Sequence, residues 1–324
     1  MEIRAPVAEL LPRLLYFLDE PLADPAVINT YLICRQARQD GAVVLLSGQG
    51  ADELLGGYRR HLAPLLNARL GWLPAPLRDA VGRAAGRLPA GRPGRLGGVL
   101  RRMRKMLSPL GRPPLEQFAT FCQWLPDEDT LSLLDADLAA SLRGRRPSEA
   151  TFDLVEHSPS PALLNRMLYR DLKTFLPALN LTYTDKMSMA ASVEARVPYL
   201  DVELAEFAWQ LPPHYKIRGR NGKWLLRRAM RGVLPDAVLT RPKTGFGAPV
   251  RQWMRHDLRE MVADLLSPSA LRASGWFSVA GVESLRARFE AGRDDLGYPL
   301  WALLVFLLWE QTFLRQPLVR DPTR

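Results

Sequence analysis

Val43-Val44-Leu45-Leu46-Ser47-Gly48-Gln49-Gly50-Ala51-Asp52-Glu53-Leu54-Leu55-Gly56-Gly57-Tyr58 is the stretch on which the reading of this chain turns. Its opening run is apolar, rich in β-branched residues, and bounded by Gly41 and a glycine-rich loop, which predicts a buried strand of a parallel sheet. Ser47-Gly48-Gln49-Gly50 then turns the chain, and Ala51 to Leu55 starts a helix. Open α/β sheets hold ligands in the loops at the carboxyl ends of their strands. Glycines in such a loop let backbone N–H groups come close to a phosphate. Asp52 and Glu53, directly after the loop, suit a metal held jointly with a nucleotide phosphate better than a bare anion. A plain strand-to-helix turn with acids at the positive helix end accounts for the same letters.

Working outward, Leu10 to Leu18 predicts an amphipathic helix that stops at Asp19-Glu20-Pro21. Asp24-Pro25 caps a second helix, Ala26 to Gln39, whose apolar Val27, Ile28, Tyr31 and Leu32 share one face. After Tyr58 no further clear strand is expected. Helices are predicted near 77–88, 98–107, 115–124, 129–143, 161–175, 201–210, 222–232, 250–266, 279–290 and 301–315. The fold class is therefore α/β, with part of a doubly wound parallel sheet in residues 1–60 and a large, mainly helical region from 61 to 324.

The composition is that of an ordinary globular protein, 47% hydrophobic and 24% charged over 324 residues. Cys34 and Cys122 lack metal-binding spacing and read as thiols rather than a disulfide, which suits a cytoplasmic protein. No signal-peptide core follows Met1, and the apolar stretch from Tyr298 to Trp309 is too short to span a bilayer, so no membrane span is expected. The net charge of +10 is concentrated: Arg69 to Arg112 holds eleven Arg and Lys residues against one acid, Asp79. No aromatic residue interleaves with the arginines from Arg78 to Arg112, so nucleic-acid binding is not expected, and a solvated helical excursion explains the charge.

Two further stretches carry candidate chemistry. Leu176 to Ala190 leads into Val193-Glu194-Ala195-Arg196-Val197-Pro198-Tyr199-Leu200-Asp201. Read from its residues it is structural: Asp201 is a helix cap, Glu194 and Arg196 a buried ion pair, Met187 and Met189 core filler. Asn221-Gly222-Lys223 is a turn opening a helix, and Arg241-Pro242-Lys243-Thr244-Gly245-Phe246-Gly247 sets one lysine on a glycine-containing loop. A loop lysine is either solvated or, if the loop folds over a site, a point charge for phosphate oxygens.

Together, Ser-Gly-x-Gly-Ala-Asp-Glu-Leu-x-Gly-Gly-Tyr at 47–58, Asp-Lys-x-Ser-Met-Ala at 185–190 with Val-Glu-Ala-Arg-Val-Pro-Tyr-Leu-Asp after it, and the Lys243 loop resemble the synthetase domain of glutamine-dependent asparagine synthetases. The resemblance covers most of the chain. It implies a nucleotide-binding α/β fold of the PP-loop ATPase type (adenine nucleotide alpha hydrolase-like). It also implies ATP and Mg²⁺ as cofactors, with aspartate and ammonia from glutamine as substrates. By the same resemblance Ser47, Gly48 and Gly50 contact the nucleotide, Asp52 holds Mg²⁺, Lys243 stabilises charge on the α-phosphate, and Asp185 lines the cleft. Gln49 stands where the family commonly has an acid; it keeps hydrogen bonding but cannot act as a base.

The family's Ser-Gly-Gly-x-Asp-Ser pyrophosphate loop and its N-terminal glutaminase domain have no counterpart in this sequence. They are expected in cis or from a separate subunit. The chain alone is expected neither to hydrolyse glutamine nor to adenylate efficiently, and its open strand edge to seek a partner. A homodimer stays open. Rival readings are a β-lactam-synthetase-like or peptide-modifying enzyme on the same scaffold, a partner-binding remnant without catalysis, and an RNA-directed adenylating enzyme.

Overall fold

The computed structural model describes residues 6–88, 94–241, 245–292 and 296–315. Helix α1 (Val7–Leu18) buries Leu10, Leu14 and Leu15, and α2 (Ala26–Gln39) buries Val27, Ile28, Tyr31 and Leu32, as their periodicity predicts. Asp24 Oδ1 accepts the Ala26 N–H at 2.8 Å, satisfying one of the orphan donors at the start of α2. Both helices pack with the helix Thr182–Ala190, and α1 also packs with Gly297–Glu310. Helix Gly297–Glu310 is the centre of the main core: Leu300, Trp301, Leu304 and Val305 are all buried, and Trp301 Nε1 donates to the Ala23 carbonyl at 3.1 Å. Among the described residues the segment Gly297–Arg315 alone is long and apolar enough to cross a membrane, and most of it lies inside the molecule.

Strand β1 (Val44–Leu46) pairs in parallel with β2 (Glu194–Arg196), with Val44 opposite Glu194 and Leu46 opposite Arg196. Around this sheet the molecule departs from the sequence expectations in four respects. A strand does follow Tyr58; its alternating Glu194-Ala195-Arg196 carries no apolar run by which sequence could reveal it. And β1 is not buried: Val44 is 39% and Leu46 74% exposed. Among the described residues the sheet has two strands, so each has one uncovered edge. Glu194 and Arg196 pair at 2.8 Å, but on the surface rather than in the interior, because they are the outward residues of β2. Met187 is core, whereas Met189 is 58% exposed.

After β1 come α3 (Ala51–Leu55), α4 (Arg59–Ala68), α5 (Ala75–Gly86), α6 (Gly94–Leu107) and α7 (Pro114–Cys122). Cys34 and Cys122 are free thiols. The helix expected over 129–143 divides into Asp127–Leu131 and Ala136–Ser141, and the one over 250–266 into Val250–Arg255 and Arg259–Leu265. The helix expected to end at Phe175 instead runs from Leu163–Arg170 into a π-helix, Asp171–Leu181, that encloses Pro177. Proline lacks the N–H that continued α-winding needs, and π-turns in helices recur at functional sites.

Lys216 is fully buried, with Nζ 3.0 Å from Asn165 Oδ1 and 3.4 Å from the Trp209 carbonyl. Burial pushes its pKa down to about 8. A base whose folded pKa lies below its unfolded value makes stability rise with pH between the two, because the unfolded state then binds the extra proton. Chemical-denaturation curves are expected to show stability rising from about pH 8 to pH 10.5, by roughly 3 kcal/mol at most. Lys216→Met should remove this contribution, leaving the like-signed one of Lys105, whose pKa burial also lowers.

Candidate active site at the tip of β1

The loop after β1 is fixed by backbone geometry. Ser47 N–H donates to the Arg196 carbonyl at 2.7 Å, which anchors the loop to the end of β2. Gly50 has φ +88 and begins α3; a Cβ there would overlap the Leu200 side chain, so both conformation and space require glycine. Gly48 is exposed, with open space where a side chain would project.

Asp52, in the first turn of α3, forms an ion pair with Lys223 Nζ at 3.0 Å, both side chains being mostly covered. Lys223 arrives from 171 residues downstream through a close backbone contact. Its N–H donates to the Leu55 carbonyl at 3.1 Å, and Gly222 lies so tightly on Gly56 that a Cβ would overlap the Gly56 carbonyl. Gly57 leaves the room that the Asp52–Lys223 pair occupies. Gly222→Ala is therefore expected to push the turn off Gly56 and lower thermal stability by about 1–3 kcal/mol. Differential scanning calorimetry checks this.

Glu53 faces the other way, into the protein, and is 1% exposed. Its Oε1 accepts the Tyr58 hydroxyl at 2.7 Å and the Asn180 side-chain amide at 2.9 Å. Burial, with the neighbouring Glu53 charge, pushes the Tyr58 phenol far above its ordinary pKa, so it stays protonated and donates. The Asn180 carbonyl in turn accepts from Gln49 Nε2 at 3.1 Å, and Thr184 Oγ1 lies 2.6 Å from the same nitrogen. The carbonyl partner fixes the Gln49 amide: nitrogen toward the π-helix, Oε1 as a buried acceptor with no partner among the described residues. Burial first, and the charge of Asp24, push Tyr183 up to about 12, opposed by a hydrogen bond from Gln49.

Behind this network lies Asp171, fully buried. It is held by Arg60 Nε and Nη2 at 3.1 and 2.8 Å, His61 Nε2 at 2.7 Å and Arg170 Nη1 at 3.0 Å. Burial alone would raise its pKa, but the hydrogen bonds and charges of His61 and Arg60 hold it well below the usual carboxylate range. The Arg60 guanidinium also stacks on Phe175 and Tyr58, 3.9 and 4.3 Å from their ring centres, joining the cluster to the donor on Glu53.

Ser47, Gly48, Gln49, Gly50 and Asp52 thus lie on one loop and helix start. Asp185 follows Thr184 on the helix Thr182–Ala190, is exposed, and its side chain forms no hydrogen bond or ion pair with that loop among the described residues. Lys243 lies outside the described residues. Glu53, expected beside Asp52 to suit a metal, is instead buried and taken up by Tyr58 and Asn180, and sequence reasoning did not single out Lys223 or Asn180. The Asn-Gly turn before Lys223 and the Gly56-Gly57 pair were the available signals, but they report a close approach without naming its partner.

Among the described residues no three His, Cys, Asp or Glu side chains group as a metal cage. One carboxylate beside an open glycine loop fits the way Mg²⁺ is bound, by one or two carboxylates with substrate phosphates and water completing the shell. A parallel strand pair, a glycine loop at its tip and an acid–lysine pair docked on the following helix define a mainly helical α/β protein with a site suited to a nucleotide phosphate. The chain belongs to the asparagine synthase family: the family model described as Asparagine synthase matches residues 4–311. It is 35% identical over 314 residues to a Mycobacterium tuberculosis protein named "Putative asparagine synthetase (glutamine-hydrolyzing)", covering 95% of this chain and 45% of that protein. It is 30% identical over 317 residues to Bacillus subtilis asparagine synthetase (glutamine-hydrolyzing) 1, covering 96% and 48%. A Penicillium rubens protein named amidase chyE is 22% identical over 301 residues, covering 86% and 43%. The chain spans about half the length of the curated relatives it matches.

Proposed function

We propose that this chain carries the ATP-dependent, amide-forming half of an asparagine synthetase, acting on the side-chain carboxylate of aspartate with ammonia derived from glutamine. The observation that carries the reading is the meeting of three sequence-distant segments at the β1 tip. The Ser47–Tyr58 stretch receives Asn180 and Thr184 from the second and Gly222 and Lys223 from the start of the third.

A carboxylate is a poor acyl donor at neutral pH. Its oxygen attacks the α-phosphorus, the bond to the β-phosphate oxygen breaks, and pyrophosphate leaves. Ammonia then attacks the acyl carbon, the bond to AMP breaks, and loss of a proton leaves the amide. Mg²⁺ bound at Asp52 would neutralise phosphate charge. Ser47, Gly48 and Gly50 offer a hydroxyl and close backbone to the phosphates, and Lys223 brings a cation to the same place. Lys243 is assigned the α-phosphate and Asp185 the cleft wall on resemblance alone. Pre-placed charges of this kind act without reorganising during the reaction. The remaining sheet strands, the pyrophosphate loop and the glutaminase function are assigned to polypeptide beyond these residues, in cis or in trans. The exposed Val44 and Leu46 favour such a covering partner.

Gln49 has no proton-accepting role here; it holds Oε1 as a fixed acceptor. Gln49→Glu would set a carboxylate against the Asn180 carbonyl, two acceptors with no proton between them. It is expected to lose about 1–3 kcal/mol of stability and to raise no activity, read by thermal denaturation and AMP yield. The test of the function uses aspartate labelled with ¹⁸O in its side chain, ATP and ammonia, with the chain alone and with a companion supplying a pyrophosphate loop. One ¹⁸O transferred to AMP, with little AMP from the chain alone, supports the reading. ADP formation, or unlabelled AMP, contradicts it.

A further inference from the structure

The basic stretch from Arg69 to Arg112 plays no part in the chemistry above. It folds as α5 and α6, packed against each other, with a close approach where Gly82 meets the Ser108 carbonyl. Val81, Gly82 and Ala85 of α5 turn inward or are half-covered, and so are Gly97 and Leu100 of α6. What faces out is unusual. Arg69, Arg83, Arg87, Arg102 and Arg112 are exposed, and none of the five forms an ion pair among the described residues. The single acid, Asp79, lies against Gly111.

Large apolar side chains are exposed in the same segment. Trp72, just before α5, is 77% exposed; Leu77 is 48%, Val99 43% and Met103 45% exposed. Val99, Arg102 and Met103 stand at spacings of three and four, so α6 presents them on one side. A solvated excursion would need the cations but not the tryptophan and aliphatics. A phosphodiester strand would use the cations and Trp72 but gain little from Leu77, Val99 and Met103.

We propose that the α5–α6 hairpin with Trp72 is a docking surface for a bilayer containing anionic lipid. The arginines meet the phosphate head groups, Trp72 sits at head-group depth, and the aliphatic side chains enter the acyl boundary. The chain lies on such a surface and does not span it. Binding needs both parts, since neither a few basic residues nor a few apolar side chains suffice alone.

The test is co-sedimentation of the whole chain with phosphatidylcholine vesicles, with and without phosphatidylglycerol. Binding is expected only with the anionic lipid, to fall steeply with added salt, and to drop about fivefold for each of R83Q and R102Q. Trp72→Ser and the pair Val99→Ser with Met103→Ser should weaken it at unchanged charge. These positions are on the surface, and circular dichroism confirms that each variant folds. Quenching of tryptophan emission by brominated lipid should be lost in Trp72→Phe. Equal binding to neutral vesicles, binding unaffected by these variants, or retention by polyuridylate or an acidic protein with no vesicle binding would each overturn the proposal.

Discussion

Asp171→Ala is expected to destabilise the chain by about 3–5 kcal/mol, the cost of removing one member of a buried charge cluster. The loss strands the buried His61, the largely covered Arg60, and the guanidinium of Arg170, all of which use this carboxylate. It also frees Arg60 from its stacked position on Tyr58 and Phe175, so the hydroxyl that serves Glu53 loses its support. For a chain of this size the midpoint of thermal unfolding should fall by roughly 4–7 °C. The pH dependence has a defined sign. The folded pKa of Asp171 lies below its unfolded value, so its contribution is complete above the unfolded pKa and is lost as pH falls through the folded one. Denaturation at acid pH should therefore show a smaller difference between the two proteins than at neutral pH. An unchanged difference across that range would mean that Asp171 is not held ionised by its partners.

Asp52→Asn is the second large effect. Asparagine keeps the shape that Gly57 accommodates, so the α3 turn should survive and stability should change by only about 1 kcal/mol. What disappears is the charge that pairs with Lys223 and would hold the metal. Affinity for ATP in the presence of Mg²⁺ is expected to fall about 100-fold, with affinity in its absence little changed. Isothermal titration with and without the metal separates the two. A uniform loss under both conditions would point instead to a collapsed loop.

The local elements around the site were legible in the sequence because local chemistry specifies them. Asp24 before α2, Gly50 at a positive φ before α3 and Asp201 before Val202–Gln210 each act within a few residues. What was not legible depends on long-range contact. Strand β2 is three residues with two charged side chains and is defined only by its partner β1. The π-winding of Asp171–Leu181 looks like ordinary amphipathic helix, and its use appears only when Gln49 is seen hydrogen-bonded to Asn180. Lys223 and Asp52 are 171 residues apart, and nothing in either neighbourhood identifies the other. The glycines at 56, 57 and 222 marked close approaches correctly but could not say to what.

Labelling with an acyl-phosphate derivative of ATP puts the central claim to the most direct test. Such a reagent transfers its acyl group to lysines that the bound phosphates reach, and peptide mass spectrometry locates them. Convergence of the Ser47 loop, Asp52, Lys223 and Lys243 on one nucleotide predicts Mg²⁺-dependent acylation of Lys223 and Lys243, blocked by excess ATP and lost in Asp52→Asn. Acylation confined to other lysines, or indifferent to ATP and to Asp52, would place the nucleotide elsewhere and remove the basis for the proposed reaction.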